Sequence, residues 1–339
     1  MLTAQPTVSM SWVNTLLCAA ERHGVDQAKL LARAGVAATQ LSLERLPIDD
    51  ITHLWRAAAE LTRDPGFGLK AGSLVGPASF NVVSFIFQSC ATLREAITLV
   101  QKFQRLISDG GRFQLIGERG ASWLIYHPQQ GELAFSPHQI EAVLAAVVSF
   151  SGWVSGHALV PRKVQFSHDQ LGPLTDYLKV FQSAVDFNQA FSGLLLDNLV
   201  LDQALPQADV QLAAMHRAYA AERLAALSQA SDFLVLLRQW LAASLDGGVP
   251  TREAAASHFG ISDRVFARRL QGLGMSYSDA VDALRQDQAR AAVSQSGVAF
   301  VEIASSLGFS QASAFNRAFK RWTGCSPGQW REQHQAAVN

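Results

Sequence analysis

The chain has 339 residues, enough for about two domains, and its 49% hydrophobic and 17% charged residues are the composition of an ordinary globular protein with a core in each half. The 28 Lys and Arg balance the 28 Asp and Glu, so the formal net charge is zero. This balance excludes a strongly basic chain, and a nucleic-acid partner has to be argued from where the arginines lie.

The cysteines and the apolar segments of the chain indicate its cellular compartment. Cys18, Cys90 and Cys325 are scattered and form no CxxC pair, which argues against a disulfide framework or zinc site and favours a reducing cytoplasm. Residues 1–10 lack a basic region followed by an apolar run, so we expect no signal peptide. Segment 142–160 is apolar but broken by serines and glycines, which predicts a buried helix and a turn, with no membrane partner.

Helix signals dominate the start of the chain. Residues 48–62 place apolar side chains at helical spacing, and Thr-Leu-Arg-Glu at 92–95 is a capping box that opens a second amphipathic helix. Ser136 followed by Pro137 marks a further helix start.

Strand signals follow between these helices and the second half. The predicted strands are 112–117, 121–127, 163–168, 184–187 and 193–196. The first two flank Glu-Arg-Gly at 118–120 and predict a hairpin. The predicted fold class is therefore α+β, with a mixed helix and antiparallel-strand N-terminal effector or dimerisation domain over residues 1–206.

The rest of the chain is predicted to be all α. Residues 209–227 form a long helix that either connects the halves or supports dimer contacts, and 228–231 is a short linker. We therefore expect a connecting helix and linker over residues 207–230 and an all-α domain over residues 231–339. That domain carries 11 Lys and Arg against 9 Asp and Glu, and residues 281–293 predict one continuous helix within it.

A helix–turn–helix pattern occurs twice in that domain, at 253–270 and at 301–322. Each copy has an apolar helix, then Gly-Ile-Ser or Gly-Phe-Ser, then a helix that carries arginines. Glycine permits the positive φ of a sharp turn, the apolar residue packs between the helices, and serine caps the second helix. Such second helices lie in the DNA major groove, so two copies predict a protein that reads DNA twice along one face.

Three runs end the second copy: Leu-Gly-Phe-Ser at 307–310, Ser-Ala-Phe-Asn-Arg-Ala-Phe-Lys-Arg-Trp-Thr-Gly at 313–324, and Ser-Pro at 326–327. They resemble the DNA-binding domain of the AraC/XylS family of bacterial transcription regulators. Four segments of the first half resemble the arabinose-binding-type N-terminal domain of one branch of that family. They are Leu-Leu-Ala-Arg-Ala-Gly at 30–35, Asp-Pro-Gly-Phe-Gly-Leu at 64–69, Thr-Leu-Arg-Glu-Ala at 92–96 and Leu-Pro-Gln-Ala-Asp at 205–209.

The resemblance implies a sequence-specific transcription regulator rather than an enzyme. It implies a homodimer on double-stranded promoter or operator DNA, contact of an activator with RNA polymerase, and a small-molecule effector, with no cofactor. The branch includes regulators of amino-acid catabolism and of virulence or quorum-sensing genes.

Three residues of the first arginine-bearing helix are candidates for base contact. Arg264 and Arg268 share a face, and an Arg fork can bond guanine O6 and N7 together. Ala267 beside them offers apolar contact to a thymine methyl. Arg269 lies a step round the helix, where we expect phosphate or an acidic neighbour. The alternative is that the arginines form a solvated, salt-bridged face.

The resemblance places four base-contact positions on the matching helix of the second copy. Asn316 fits adenine and Arg317 fits guanine, while Ala312 departs from the polar residues common there, so this copy reads fewer bases. Lys320 and Arg321 are phosphate candidates. The four base-contact positions are Ala312, Ser313, Asn316 and Arg317.

The first half contains no catalytic or metal-ligating pattern, because its histidines form no HExxH and no Gly-rich phosphate loop or GxSxG elbow occurs. A ligand pocket is expected there instead, where charge occurs beside aromatic and apolar residues. Arg105 or Arg112 would suit an anionic or zwitterionic metabolite. The alternative for each candidate is a core aromatic or a surface charge. The candidates are Arg105, Arg112, Tyr126, Glu141 and Trp153.

Two other functions stay open. A DNA-repair enzyme that transfers an alkyl group could use the same DNA-binding module, but it needs a reactive thiol. Cys18 and Cys90 are expected in apolar surroundings, and Cys325 lies in the DNA-binding tail. The second alternative is a regulator without a ligand, controlled by its abundance or by a partner protein.

Overall fold

The computed structural model describes residues 6–245, 248–294 and 297–335. The described chain divides between Leu227 and Ser228 into two compact units. Residues 1–5, where we expect no signal peptide, lie outside the described residues, as do residues 246–247, 295–296 and 336–339 of the predicted domain 231–339.

The first unit combines helices with short strands, as predicted. Its α-helices are α1 (Met10–Arg22), α2 (Gln27–Ala34), α3 (Ile48–Thr62), α4 (Phe67–Ser73), α5 (Asn81–Ser89), α6 (Leu93–Phe103), α7 (Pro137–Ser155), α8 (Leu174–Phe181) and α9 (Asn198–Leu201). Three 3₁₀ helices cover Ala38–Ser42, Pro77–Phe80 and Gln104–Leu106. Its strands are β1 (Thr7–Ser9), β2 (Arg45–Pro47), β3 (Gly111–Glu118), β4 (Ala121–Pro128), β5 (Lys163–Gln165), β6 (Val185–Asp186) and β7 (Ser192–Asp197).

Five of the strands form one sheet in the order β3-β4-β7-β5-β6. β3 and β4 are the predicted hairpin, and Gly120 turns it with a φ of 76°. The pairs β3–β4, β4–β7 and β7–β5 are antiparallel, whereas β5 and β6 pair in parallel. The strand predicted over 163–168 ends at Gln165. β1 and β2 form a separate antiparallel pair.

Helix α7 is the central helix of the first unit, because its residues enter both hydrophobic clusters of that unit. Leu144 and Val148 belong to the larger cluster, and Ala146 belongs to the other. α4 packs directly on α7 through Gly68 and Gly72, which lie one turn apart. A Cβ at either glycine would lie 2.2 Å from a backbone oxygen of α7, so only glycine permits this approach.

The apolar segment 142–160 lies in α7 and in a turn where Gly156 has a φ of 78°, as predicted. Within the described ranges no single helix is long and apolar enough to cross a membrane. α4 and the segment Pro77–Ser89, bent by 102°, meet the requirement of length and composition only as a pair.

Helix α10 (Val210–Ser244) runs continuously across the junction between the units. The predicted linker at 228–231 is therefore wrong, because these residues are helical. Neither Gly nor Pro interrupts the helix there. The next turns bury Phe233 and Leu237 in the core of the second unit, which favours continuation of the helix.

The second unit is all α, and each predicted motif has its own hydrophobic cluster. Its remaining helices are α11 (Arg252–His258), α12 (Asp263–Gly272), α13 (Tyr277–Ser294), α14 (Phe300–Ser306), α15 (Ala312–Thr323) and α16 (Pro327–Gln335). α13 is the predicted connecting helix: Leu284 lies in the first cluster, and Ala289 and Val293 lie in the second.

The turns of both motifs contain a glycine with positive φ, but only the first turn supplies a side-chain cap to the helix that follows. Gly260 and Gly308 have φ values of 66° and 68°, and the apolar residues after them pack against the two clusters. Ser262 caps α12 by accepting a hydrogen bond from the Val265 amide at 3.4 Å. The cap predicted at Ser310 is wrong, because the second turn is one residue longer and Gln311 precedes α15 without a side-chain cap.

Replacing the two turn glycines by alanine separates backbone strain from steric contact. Gly260→Ala costs about 1 kcal/mol, since a Cβ disfavours positive φ but meets no atom within 4 Å. Gly308→Ala costs more, because its Cβ would also lie 3.0 Å from the Leu245 carbonyl oxygen. Hydrogen exchange of the amides of α11 and α14, read by mass spectrometry, measures the two local stabilities. Equal acceleration in the two variants would contradict the contact.

Candidate DNA interface and ligand cavity

Helix α12 buries one face and presents arginines on the other. Phe266 and Leu270 are buried in the first cluster, whereas Arg264 and Arg268 are exposed and Ala267 beside them is half-buried. Within the described ranges the two arginine side chains form no ion pair or hydrogen bond. Two guanidinium groups one helical turn apart are therefore available to an external anion or acceptor.

The acidic residue next to these arginines forms an ion pair with Arg252. Arg252 holds both carboxylate oxygens of Asp263, at 2.6 and 2.7 Å, and this hydrogen bonding lowers the pKa of Asp263. Asp263 is the first residue of α12. The fork thus joins the starts of α11 and α12 and places a guanidinium group beside the carboxylate of Asp263.

Helix α15 is amphipathic in the same way. Phe315 and Phe319 are buried, while Ser313, Asn316, Arg317 and Lys320 are exposed and Ala312 is half-buried. Asn316, Arg317 and Lys320 line a shallow depression together with Phe300 and the segment 326–328. These three predicted contact residues therefore lie close together on one surface.

Arg321, predicted to contact phosphate, pairs with Asp282 of α13 at 2.7 Å. The side chains are 65% and 40% exposed, so the pair is weak and a phosphate can compete for the arginine. The sequence predicts phosphate or an acidic neighbour for Arg269. Among the described residues no acidic side chain pairs with it, and its guanidinium lies 4.1 Å from the centre of the Phe233 ring. It stacks on the core and helps to hold α12 against α10.

Two further arginines have structural roles that the sequence does not reveal. Arg285 of α13 donates to the carbonyl oxygens of Leu307 and Gly308, at 2.8 and 2.7 Å. Arg331 of α16 donates to the carbonyl oxygens of Val293 and Val298, at 2.9 and 2.8 Å. Both bind backbone at the ends of helices, and no spacing signal in the sequence distinguishes them from the arginines that face solvent.

The first unit contains a cavity of about 120 Å³ between α5, α6, α7 and the β3–β4 hairpin. Its walls are mainly aromatic and aliphatic. The lining residues are Trp12, Phe80, Val83, Ser84, Phe87, Ile97, Val100, Gln104, Ile107, Ser108, Gly111, Phe113, Leu124, Tyr126, Gln139, Val143, Ala146, Val147, Phe150 and Ser151.

Of the five ligand candidates, only Tyr126 lines this cavity. Arg105 pairs with Asp109 at 3.0 Å, and Arg112 is exposed on β3. Trp153 is 53% exposed and stacks on Phe150 with ring centres 5.6 Å apart. Contact between these candidates and a ligand therefore remains a prediction. Of the five residues, the position of the cavity supports a ligand contact only for Tyr126.

The fifth candidate, Glu141, belongs to a buried polar cluster outside the cavity. Its carboxyl group accepts a short hydrogen bond from the Tyr177 hydroxyl, and the His138 Nδ1 atom lies 3.9 Å from its other oxygen. Burial raises the pKa of Glu141 to about 8, although the Tyr177 hydrogen bond opposes the shift. Burial also lowers the pKa of His138, and nearby His168 lowers it further. At neutral pH the cluster is therefore uncharged.

The thiols lie in three different surroundings. Cys90 is buried, and burial raises the pKa of its thiol to about 12, which disfavours the thiolate. Cys18 is exposed, so the prediction of apolar surroundings for it is wrong. Cys325 is half-buried at the start of the segment before α16. Within the described ranges no group of three His, Cys, Asp or Glu side chains could hold a metal ion.

Two family models match the chain. The arabinose-binding domain of AraC transcription regulators, N-terminal, matches residues 24–205, and a helix-turn-helix domain matches residues 255–333.

Three known proteins show the extent of the similarity. The Ornithine utilization regulator of Pseudomonas aeruginosa is 27% identical over 327 residues, covering 96% of each chain. The transcriptional regulator VirS of Mycobacterium tuberculosis is 25% identical and covers 81% of each chain. The crystal structure of the transcriptional regulator CdpR from Pseudomonas aeruginosa covers 90% of this chain and 96% of its own, with 18% identity and a TM-score of 0.41.

The buried carboxyl group of Glu141 makes stability depend on pH. Its pKa is about 8 in the folded chain against an ordinary 4.5, so between these values the folded state holds a proton that the unfolded state has lost. Stability therefore falls as the pH rises through this window, by at most about 1.4 kcal/mol per pH unit. Glu141→Gln keeps an acceptor for Tyr177 but does not titrate.

Thermal unfolding of the parent and of Glu141→Gln, measured between about pH 6 and pH 8, checks this dependence. The variant loses less stability than the parent over this interval. A parallel decline of both proteins would show that Glu141 does not titrate in the window.

Proposed function

The chain belongs to the AraC family of transcription regulators with an arabinose-binding-type N-terminal domain, and from this premise we propose how its residues recognise DNA. It is a sequence-specific DNA-binding regulator. In the proposal, residues 231–339 read the promoter, residues 1–206 sense a small molecule and form the dimer, and residues 207–230 connect them. This function is favoured over alkyl transfer by a repair enzyme.

One observation carries the proposal: each motif keeps a polar, solvent-facing surface on its second helix. In the proposal Arg264 and Arg268 bond guanines while Ala267 touches a thymine methyl. α13 has 18 residues and therefore spans about 27 Å, of the order of the ~34 Å between successive turns of the major groove. A rod of this length suits two helices that enter successive major-groove segments.

In the second motif, Asn316 recognises adenine and Arg317 recognises guanine, with Ala312 and Ser313 at the same edge. Lys320 and Arg321 contact phosphates, which fix the register of the domain on the duplex. Since Ala312 brings no polar group, this motif reads fewer bases than the first.

The function of the family also suggests the wider role of this chain. We infer an activator that acts in the cytoplasm and contacts RNA polymerase. The name of the Ornithine utilization regulator supports control of amino-acid catabolism. Control of virulence or quorum-sensing genes is the alternative within the same branch.

A homodimer is supported by an apolar stripe on α10. Leu212, Met215 and Tyr219 are 46%, 66% and 53% exposed and follow one another at helical spacing of three and four residues. Exposed apolar stripes of this kind mark association surfaces. In the proposal the same stripe of a second copy covers it, and the dimer occupies two half-sites.

Arg268→Lys tests base reading, because lysine keeps the charge but lacks the fork that bonds guanine O6 and N7. We expect affinity for the operator to fall about 5- to 150-fold, with little change in affinity for random DNA. The operator comes from sequencing of genomic fragments bound by the purified chain, and fluorescence anisotropy measures both affinities.

The matched control is Arg119→Lys, an exposed arginine at the turn between β3 and β4. It keeps operator affinity unchanged. A loss for Arg268→Lys that is equal on operator and random DNA would assign Arg268 to phosphate contact instead.

Tyr219→Glu tests the dimer surface by placing a charge in the apolar stripe. We expect the dissociation constant of the dimer to rise at least about tenfold, as burial of an unpaired carboxylate is strongly unfavourable. Sedimentation equilibrium measures it, with Tyr219→Phe as the control that keeps the apolar ring. An unchanged dimer in Tyr219→Glu would place the interface elsewhere.

A further inference from the structure

Strand β3 is one edge of the five-stranded sheet, and it is long for an edge. It has eight residues, whereas β6 at the other edge has two. Proteins commonly protect an edge by a very short strand, a proline or a bulge, because its free backbone groups can pair with another strand. β3 contains no proline, and it pairs with β4 without a bulge over Gly111–Glu118. It therefore keeps the regular geometry that a further strand needs.

Every second residue of β3 turns its backbone N–H and C=O groups to the free edge. The Gln129 amide donates to the Gly110 carbonyl oxygen at 2.8 Å, one position before β3 begins. This bond continues the ladder and sets its alternation, so the even-numbered residues of β3 bond to β4 and the odd-numbered ones do not. Among the described residues, the backbone groups of Leu115 and Gly117 have no hydrogen-bond partner.

A side chain of the protein itself occupies the first half of this edge. Gln104 lies in the 3₁₀ helix that follows α6, and its Oε1 atom accepts the Phe113 amide at 2.9 Å. A strand that paired along the whole of β3 would have to displace this side chain. Pairing that begins at Leu115 leaves the bond intact. The part of the edge that is open to another strand is therefore residues 115–117.

The side of the sheet away from the core carries an apolar row that ends at the same place. Ile116 lies opposite Trp123 of β4, and Trp123 lies opposite Leu195 of β7. Trp123 also packs against Phe191, with ring centres 5.2 Å apart. The row reaches the edge at Ile116, which is 42% exposed. A further strand with an apolar residue opposite Ile116 would extend the row and bury that side chain.

A second copy of β3 supplies such a residue when the two strands pair antiparallel about a two-fold axis at Ile116. Ile116 then lies opposite its own copy in a non-hydrogen-bonded pair, where Cα atoms are about 4.5 Å apart and side chains are closest. Leu115 lies opposite Gly117 of the second copy, and these residues exchange two hydrogen bonds on each side of the axis. The free backbone groups of both edges are then satisfied, and Gln104 keeps its bond to Phe113.

The polar and charged side chains of β3 are complementary in this register. Gln114 lies opposite Glu118 of the second copy, and Arg112 lies diagonal to it, at about 7–8 Å, within reach of a long side chain. Gln114 Oε1 accepts from His127 Nε2 at 2.8 Å, so the amide NH₂ group remains to donate to the carboxylate. Within the described ranges the side chains of Arg112 and Glu118 form no ion pair or hydrogen bond. A second copy thus brings each of them an opposite charge.

We propose that two copies of the chain join at β3 in this register, so that their five-stranded sheets become one continuous sheet. The contact is small and therefore weak in free solution. It uses none of the residues of the apolar stripe on α10, so the two contacts can be disrupted separately. Where copies occupy neighbouring operators, their raised local concentration favours pairing at β3 and makes binding cooperative. This last consequence rests on the proposed function, whereas the pairing itself is measured without DNA.

Disulfide trapping tests the pairing in the full chain, because oxidation collects even a weakly populated dimer. Cys18 and Cys325 are first replaced by serine, and Cys90 stays because it is buried. In this background Ile116→Cys forms a disulfide-linked dimer, since a Cα separation of about 4.5 Å lies within the range that a disulfide spans. The absence of a linked dimer would overturn the proposal.

Two further cysteine variants test the register with matched controls. Gln114→Cys and Glu118→Cys each lack a cysteine opposite, because the two copies of either residue lie about 13 Å apart along the strands. The chain with both substitutions therefore yields at least about tenfold more linked dimer than either single variant. Electrophoresis without reducing agent measures the yields. Equal yields in the single and double variants would indicate random collision and overturn the register.

Tyr219→Glu separates this contact from the stripe on α10. We expect Ile116→Cys to cross-link to the same extent with and without Tyr219→Glu, because different residues form the two contacts. Loss of cross-linking in the combined variant would overturn β3 as an independent surface.

Cooperativity is read on DNA with one operator and with two adjacent operators. We expect the parent to bind the second operator about 5- to 150-fold more tightly than the first, the usual range of coupling. Ile116→Lys removes this gain but keeps the affinity for one operator, because two like charges meet at the two-fold axis. Gln114→Lys is the matched control, since its charge faces Glu118 of the second copy and the gain remains.

The outcomes on DNA are distinguishable from those of cross-linking. Equal coupling in the parent and in Ile116→Lys would overturn the role of β3 on DNA. A parent that binds no single operator would contradict the proposed function, while the cross-linking result would still decide whether the strands pair.

Discussion

The second unit depends on one helix that belongs to two hydrophobic cores. Leu284 of α13 lies in the core of the first motif, and Ala289 and Val293 lie in the core of the second. A rotation of either motif about α13 would therefore remove apolar area from a core. Arg285 strengthens the constraint, since it leaves α13 to bind two backbone carbonyls at the second turn. The spacing of the two recognition helices is thus fixed by packing.

A domain with little net charge presents a basic surface because some of its arginines are occupied by partners within the protein and others are not. Several arginines of the second unit are occupied inside the protein: Arg252 by Asp263, Arg285 and Arg331 by backbone carbonyls. The arginines that remain exposed without a partner in the described chain include Arg264 and Arg268. Position on the helix, rather than total charge, therefore produces the exposed basic surface that we propose contacts DNA.

The first unit is organised around α7 in a comparable way. Gly68 and Gly72 bring α4 to van der Waals distance of its backbone, which leaves the other faces of α7 to cover the sheet and the cavity. Burial keeps the carboxyl group of Glu141 on α7 neutral although the Tyr177 hydrogen bond opposes this, and Gln139 and Ser151 belong to the cavity wall. One buried helix thus carries a buried polar cluster and also forms part of the cavity wall.

Elements with local sequence signals were predictable without the tertiary structure. The α+β class, the β3–β4 hairpin and both turns at Gly260 and Gly308 follow from periodicity and from the conformations that glycine permits. Local signals also placed Arg264 and Arg268 on one exposed face, although their contact with bases remains a prediction.

Features that depend on contacts between residues far apart in the chain were not predictable from local signals. The expected linker at 228–231 is helical because Phe233 and Leu237 find a core there. Of the five ligand candidates only Tyr126 lines the cavity, since the direction of a side chain relative to a cavity depends on which elements pack around it. Ion pairs and backbone contacts that occupy an arginine are likewise formed by residues far apart in the chain, so composition and spacing cannot reveal them.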